Sequence, residues 1–237
     1  MNNKININKI YCIAIPKRKA YMENTLYKYF QFPKSKVTFI KPILKDKLDR
    51  NDLITNKIIT KKCKLNMGEI ACYLSHIKTL KQFLASNNKY CLIFEDDIEA
   101  KNRKTTIKKM NTILNNVPKN FNILYLGRCY DLCHYDQNIN PYLYKTKHTL
   151  CTHAYIISRT GAKIILNKSL PINIPIDTHY AQLIYSNKLV SYASKKNIFN
   201  QSNNIKSNLR KYSWKNKPEC KLYSNLLREF KFLFSRT

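Results

Sequence analysis

Glycine, acidic residues and long apolar runs are all scarce in this chain, and each scarcity removes a class of explanation. Three glycines in 237 residues leave no glycine-rich linker, and no internal repeat interrupts the sequence. Average usage would supply about sixteen glycines, so Gly68, Gly127 and Gly161 mark places where the backbone needs positive φ or a close approach. No apolar run nears the roughly 18 residues of a membrane span. The polar stretch Met1–Lys9 lacks the apolar centre of a signal peptide. None of the eight cysteines forms a CxxC pair, and most sit in apolar runs. They read as reduced core thiols of a cytosolic protein rather than a disulfide frame. Cys129, Cys133, His134, Cys151 and His153 match no standard zinc-ligand spacing.

Only 14 residues are acidic against 43 Lys and Arg, a formal net charge of +29. Such a charge favours anionic partners: nucleic acid, an acidic membrane surface or phosphorylated substrates. Nucleic acid is not expected, because no helix-turn-helix, finger or RNA-binding signature accompanies the charge and that reading leaves the acidic cluster below unexplained. Hydrophobic residues make up 44% of the chain, with seventeen Tyr and ten Phe, enough for a packed core.

Short apolar runs alternate with helical periodicity. Strands are expected over 10–15, 37–40, 90–94, 121–126, 153–157 and 189–193, and helices over 18–32, 66–87, 104–115, 158–168 and 178–186. The basic stretch 42–62 reads as a loop with helical fragments. This order implies a largely parallel sheet flanked by helices. The division expected is a catalytic domain over 1–203 and a basic extension over 204–237.

Two segments carry chemistry. Glu95-Asp96-Asp97 follows the apolar run Tyr90–Phe94 directly. Three consecutive acids arise by chance roughly once in twenty chains of this composition. Residues two apart on a strand share a face, so Glu95 and Asp97 are expected to point together and Asp96 away. Ligands of open α/β sheets bind beyond the carboxyl ends of strands. Two carboxylates there suit Mn²⁺ or Mg²⁺ with coordination positions left for a diphosphate. The alternative is an acidic turn. The second segment is Gly68-Glu69-Ile70-Ala71-Cys72-Tyr73-Leu74-Ser75-His76. Glu69, Cys72 and His76 share a helical face, and Gly68 would let a phosphate approach free amides. Here the alternatives are a capping box of Glu69 with Asn66 and a core histidine at position 76.

Together these segments resemble glycosyltransferase family 25: Gly-Glu-Ile-Ala-Cys, then Ser-His, then Leu92-Ile93-Phe94-Glu95-Asp96-Asp97-Ile98. Ile13–Arg18, Leu124–Gly127, His153–Ala162, Pro175-Ile176-Asp177 and Phe199-Asn200-Gln201 follow that family's pattern in order, so the resemblance spans about residues 8–202. Ala14, Pro16, Ala71 and the loop 41–62 depart from it. The resemblance implies a type-A nucleotide-diphospho-sugar transferase fold, a UDP-sugar donor, foremost UDP-galactose, and Mn²⁺. It implies an inverting transfer to a lipooligosaccharide-type glycan, or alternatively to a protein or viral acceptor of the hydroxylysine kind. Glu95 and Asp97 would hold the metal. Ile15, Arg18, Gly68, Glu69, His76, Asp96 and Gln201 would contact the donor. Asp177 would be the base, with Asp131 the second choice and His179 a weaker one; Asp177 also reads as an N-cap of the helix after it.

From Ile205 to Thr237 nine Lys and Arg stand against two Glu, with Leu222, Leu226, Leu227, Phe230, Phe232, Leu233 and Phe234 among them. A basic amphipathic helix of this composition can lie on an anionic membrane, which suits a cytoplasmic enzyme peripheral to the inner face. Association with anionic vesicles is expected to weaken steeply with salt and to disappear on deletion of 219–237. Vesicle binding that survives the deletion removes this reading.

Overall fold

The computed structural model describes residues 5–129, 135–202 and 205. Asp131 and the basic extension lie outside the described residues.

Among the described residues there are ten strands and six α-helices. The strands are β1 (Ile10–Ile13), β2 (Val37–Ile40), β3 (Tyr90–Glu95), β4 (Ile98–Glu99), β5 (Ile123–Cys129), β6 (Gln137–Asn140), β7 (Leu143–Lys145), β8 (Leu150–Ser158), β9 (Ser191–Ser194) and β10 (Asn200–Gln201). The helices are α1 (Pro16–Glu23), α2 (Arg50–Thr55), α3 (Met67–Leu84), α4 (Arg103–Asn116), α5 (Arg159–Asn167) and α6 (Ile176–Tyr185). Eight strands make one sheet in the order β2-β1-β3-β8-β5-β9-β7-β6.

The sheet is mixed rather than mainly parallel. β1 pairs in parallel with β2 and β3, and β5 with β9. β8 runs antiparallel between β3 and β5, and the β6–β7 hairpin extends the β9 edge antiparallel. The apolar run of β8 is as continuous as those of the parallel strands because helices cover both faces there, so hydropathy carries no sign of its direction.

Alternation sorts the strand residues between two cores. Tyr11, Ile93, Tyr125, Tyr155 and Ile157 pack beneath α3, α5 and α6. Cys12, Leu92, Phe94, Leu124 and Ile156 face α1 and α4, where Met22, Leu26, Met110 and Ile113 meet them. The helix expected over 18–32 begins earlier, with Pro16 in its first turn, and continues past Glu23 as a π-helical turn over Asn24–Tyr29. α3 starts from a complete capping box: the Glu69 amide donates to Asn66 Oδ1 and the Asn66 amide to Glu69 Oε2, each at 3.0 Å. Ser158 caps α5 by accepting from the Gly161 amide at 3.1 Å.

None of the three glycines has positive φ. The need at Gly127 and Gly161 is close approach. A Cβ on Gly161 would lie 2.5 Å from the Asn122 carbonyl oxygen, and one on Gly127 would collide with His153 Nε2 and the Phe199 carbonyl. The sulfurs of Cys129 and Cys151 are in bonding contact with Cα atoms 5.7 Å apart, so these two form a disulfide, contrary to the all-reduced reading. Cys12, Cys63, Cys72 and Cys91 are free thiols.

Gly127→Ala is expected to destabilise the fold by about 1–3 kcal/mol, because His153 and the Phe199 backbone must both shift. Urea unfolding at the parent midpoint would exclude this account of the glycine.

Candidate functional site

The end of β3 sits between two neighbours that set the site. On one side the parallel strand β1 stops at Ile13 and the chain turns through Pro16 into α1. On the other the antiparallel strand β8 brings up Thr152 and His153. β3 ends at Glu95, and Asp96 and Asp97 form the turn before β4, so strict alternation stops before the acidic triplet is complete. The three carboxylates diverge to three sets of partners.

Glu95 Oε1 accepts from Thr152 Oγ1 at 2.6 Å and meets His76 Nε2 at 3.1 Å. Burial pushes its carboxyl upward, but hydrogen bonds from His76 and Thr152 and the attraction of His76 outweigh that and hold it below the usual range. Asp96 turns the other way. Its Oδ2 accepts from the Ile15 amide at 2.8 Å, and its Oδ1 pairs with Arg18 Nη1 at 2.6 Å. This pins the β1–α1 turn to the end of β3. Asp97 Oδ2 accepts from Gln201 Nε2 at 3.1 Å, while its Oδ1 is buried and has no hydrogen-bond partner among the described residues. Burial first, then the charges of Glu95 and Asp96, push the Asp97 carboxyl up from its ordinary 3.8 to about 7.

These residues line a cleft of about 540 Å³. Its walls include Ile15, Arg18, Gly68, His76, Asp96 and Gln201, six of the seven residues expected to contact the donor, together with Glu95 and Asp97. Lys17 and Lys45 add cationic side chains, and Cys72 and Ser75 belong to the α3 wall. The loop over 42–46 is tied to α3 by the Ile43 amide, which donates to Ser75 Oγ at 2.9 Å. Glu69 is not part of the cleft wall, because its carboxylate closes the capping box.

Asp177 is not the N-cap of its helix. α6 begins at Ile176 with Pro175 in the cap position, so Asp177 lies in the first turn. Its Oδ1 accepts from the Thr178 amide at 2.8 Å and its Oδ2 from the Cys151 amide at 3.3 Å. Cys151 has φ 66°, a left-handed conformation uncommon outside glycine. Its disulfide sulfur, which has no proton to donate, lies 3.8 Å from Gln201 Oε1, so Cys151 sits between the Asp177 corner and the Asp97 corner. His179 is buried against Tyr73, and burial lowers it to about 4; its place is the core, not the cleft. His153 is buried over Gly127 with Nε2 3.1 Å from the Phe199 carbonyl. With Cys129 and Cys151 in the disulfide, the described residues of this set hold no zinc site, and Cys133 and His134 lie outside the described residues.

Four participants, Thr152, Cys151, Tyr155 and Tyr180, were not expected at the site from sequence. Thr152 and Cys151 reach the site through the β3–β8 register, which local sequence does not encode. Behind His76, Nδ1 lies 3.0 Å from Tyr155 Oη, which lies 3.3 Å from Tyr180 Oη. Cys72 was visible only as a member of the His76 face. Burial, followed by the charges of Glu95, Asp177, Asp97 and Asp96, raises its thiol well above the ordinary range.

A family model described as glycosyltransferase family 25 (LPS biosynthesis protein) matches residues 8–180. No curated protein matches the chain. Among solved structures, HddC from Yersinia pseudotuberculosis aligns at 16% identity over 81% of this chain and 71% of that one, with a TM-score of 0.33. Among the described residues no helix is long and apolar enough to cross a membrane.

The Asp97 carboxyl takes up a proton more readily folded than unfolded. The stability it contributes is therefore complete below about pH 4 and lost as the pH rises through about 7. Asp97→Asn removes that loss. In metal-free buffer near pH 8 the variant is expected to be more stable than the parent by roughly 1–3 kcal/mol. Equal denaturant midpoints at about pH 5 and about pH 8 in both proteins would contradict the assignment.

Proposed function

The chain belongs to glycosyltransferase family 25, and on that premise we propose that it is a metal-dependent, inverting hexosyltransferase acting from a UDP-sugar, foremost UDP-galactose, onto a glycan of the lipopolysaccharide type. The observation that carries the metal dependence is the buried Asp97 Oδ1, without a hydrogen-bond partner among the described residues, beside Glu95 and Asp96. Three neighbouring carboxylates, of which among the described residues one is paired with an arginine, suit a hard divalent cation such as Mn²⁺ or Mg²⁺. Glu95 and Asp97 would hold it, and when bound it would neutralise charge on the leaving diphosphate.

The remaining roles fall to the protein's own groups. Arg18, Lys17 and Lys45 bring positive charge to the same cleft and favour the phosphates. Asp96 keeps Arg18 and the Ile15 amide in place at the end of β1. Gln201 orients Asp97. Asp177, held by the Cys151 amide, is the proposed base. In the transfer the bond from the sugar anomeric carbon to the diphosphate oxygen breaks. A bond to the acceptor oxygen forms on the opposite face, and the acceptor proton passes to Asp177. Alignment and electrostatics carry most of the acceleration. The type-A fold is part of this proposal, as is a peripheral position on an anionic membrane through the extension over 204–237.

Thermal shifts with a panel of nucleotides and Mn²⁺ are expected to select UDP. Transfer from UDP-galactose should stop on EDTA addition and recover with Mn²⁺. Asp97→Asn should lose metal-supported UDP binding together with transfer. Asp177→Asn should lower transfer by about 10²–10⁴-fold while keeping UDP affinity. Full transfer in EDTA, or no UDP binding with Mn²⁺, overturns the proposal.

A further inference from the structure

The face of α3 that meets the end of β3 carries a second set of donor atoms, chemically unlike the first. Cys72 and His76 are four residues apart on one helix, a spacing that places two side chains side by side. The same separation serves metal-binding histidine pairs on helices. Glu95 faces them from the strand end. The Cys72 sulfur, a His76 ring nitrogen and a Glu95 carboxylate oxygen all lie within 4.8 Å of one another. Ligands held at roughly 2.0–2.3 Å by one tetrahedral zinc sit about 3.3–3.8 Å apart, so about 1 Å of side-chain adjustment closes the set.

We propose that Cys72, His76 and Glu95 form a binding site for a sulfur-tolerant divalent cation of the Zn²⁺ class. The set is distinct from the Glu95–Asp97 pair and shares Glu95 with it. Three protein ligands opening onto the cleft leave the fourth tetrahedral position for water or a phosphate oxygen.

The surroundings are those of a ligand set with its supporting shell in place. Thr152 Oγ1 donates to Glu95 at 2.6 Å and fixes the carboxylate. His76 Nδ1 faces Tyr155 Oη, and Tyr155 faces Tyr180. For His76 Nε2 to bind a metal the ring proton must sit on Nδ1 and donate to Tyr155. Tyr155 then donates onward to Tyr180, an arrangement this hydroxyl pair accommodates because either oxygen can be the donor. The Cys72 thiol loses its proton to solvent on binding, and the cation answers the four carboxylates around it. The inference stands apart from the glycosyltransferase reading except at Glu95. A zinc ion here takes the carboxylate that the hard cation also uses, so the two ions compete.

The test uses the full-length protein stripped of metal and titrated with Co²⁺. Wild type and Asp97→Asn are expected to develop thiolate-to-cobalt charge-transfer absorption that Zn²⁺ abolishes, and Cys72→Ser is expected to lack it. A second measurement needs no variant: Zn²⁺ should protect Cys72 from alkylation, read by peptide mass mapping. Absence of the band in wild type, its persistence in Cys72→Ser, or equal Cys72 alkylation with and without Zn²⁺ overturns the proposal. A band retained in Asp97→Asn alongside lost Mn²⁺-supported UDP binding keeps the two sites separate. A band lost in Asp97→Asn shows one shared site and overturns the distinction.

Discussion

Three successive carboxylates where a buried strand ends repel one another and lose hydration together, and much of the site follows from how the fold answers this. Each acid is answered differently. Asp96 receives a full countercharge from Arg18 and an amide from Ile15. Glu95 receives a hydroxyl and an imidazole. Asp97 receives one amide group and keeps a buried oxygen that no described residue partners. The first arrangement is structural, since it fastens β1 and α1 to β3. The third leaves a buried oxygen without a partner among the described residues, which the proposed cation would answer.

The partners come from distant parts of the chain, and that distance makes the site a property of the sheet. Arg18 arrives because β1 is parallel to β3 and so ends at the same edge. Thr152 arrives because β8 is antiparallel and begins there. Gln201 arrives on β10, which pairs with β4 just beyond the acidic turn, while the Ser202 amide bonds to the Asp97 carbonyl at 2.6 Å. Gly127 permits this return, since a side chain there would push away the Phe199 backbone that leads into β10. A fold-level residue and a site residue are thus coupled through a few backbone atoms.

What the sequence disclosed was local. The capping box at Asn66 and Glu69, the serine cap at Ser158 and the apolar runs of β1, β2 and β3 are each decided by neighbours within a few positions, and the structure has them. The reversed direction of β8, the β6–β7 hairpin and the two-residue strands β4 and β10 depend on partners far along the chain, and none left a periodic signature. The disulfide was missed for the same reason: Cys129 and Cys151 sit in runs typical of core thiols, and only the β5–β8 register brings them together. The acidic triplet was legible by composition, but the alternation argument carried too far, because β3 ends at its first member.

Glu95 is the junction of two chemistries. Toward Asp97 it contributes oxygen to an all-carboxylate environment, which hard ions prefer; toward α3 it completes a sulfur and nitrogen set, which softer ions prefer. Thr152 and His76 both hold the same oxygen, Oε1, which limits how the carboxylate can turn between the two. An ion on the α3 side would displace the His76–Glu95 hydrogen bond and a thiol proton, and an ion on the Asp97 side would displace the proton that a carboxyl raised to about 7 holds near neutral pH. Under both proposals binding would therefore strengthen as the pH rises, and the softer cation would depend on its stronger bonds to sulfur and nitrogen.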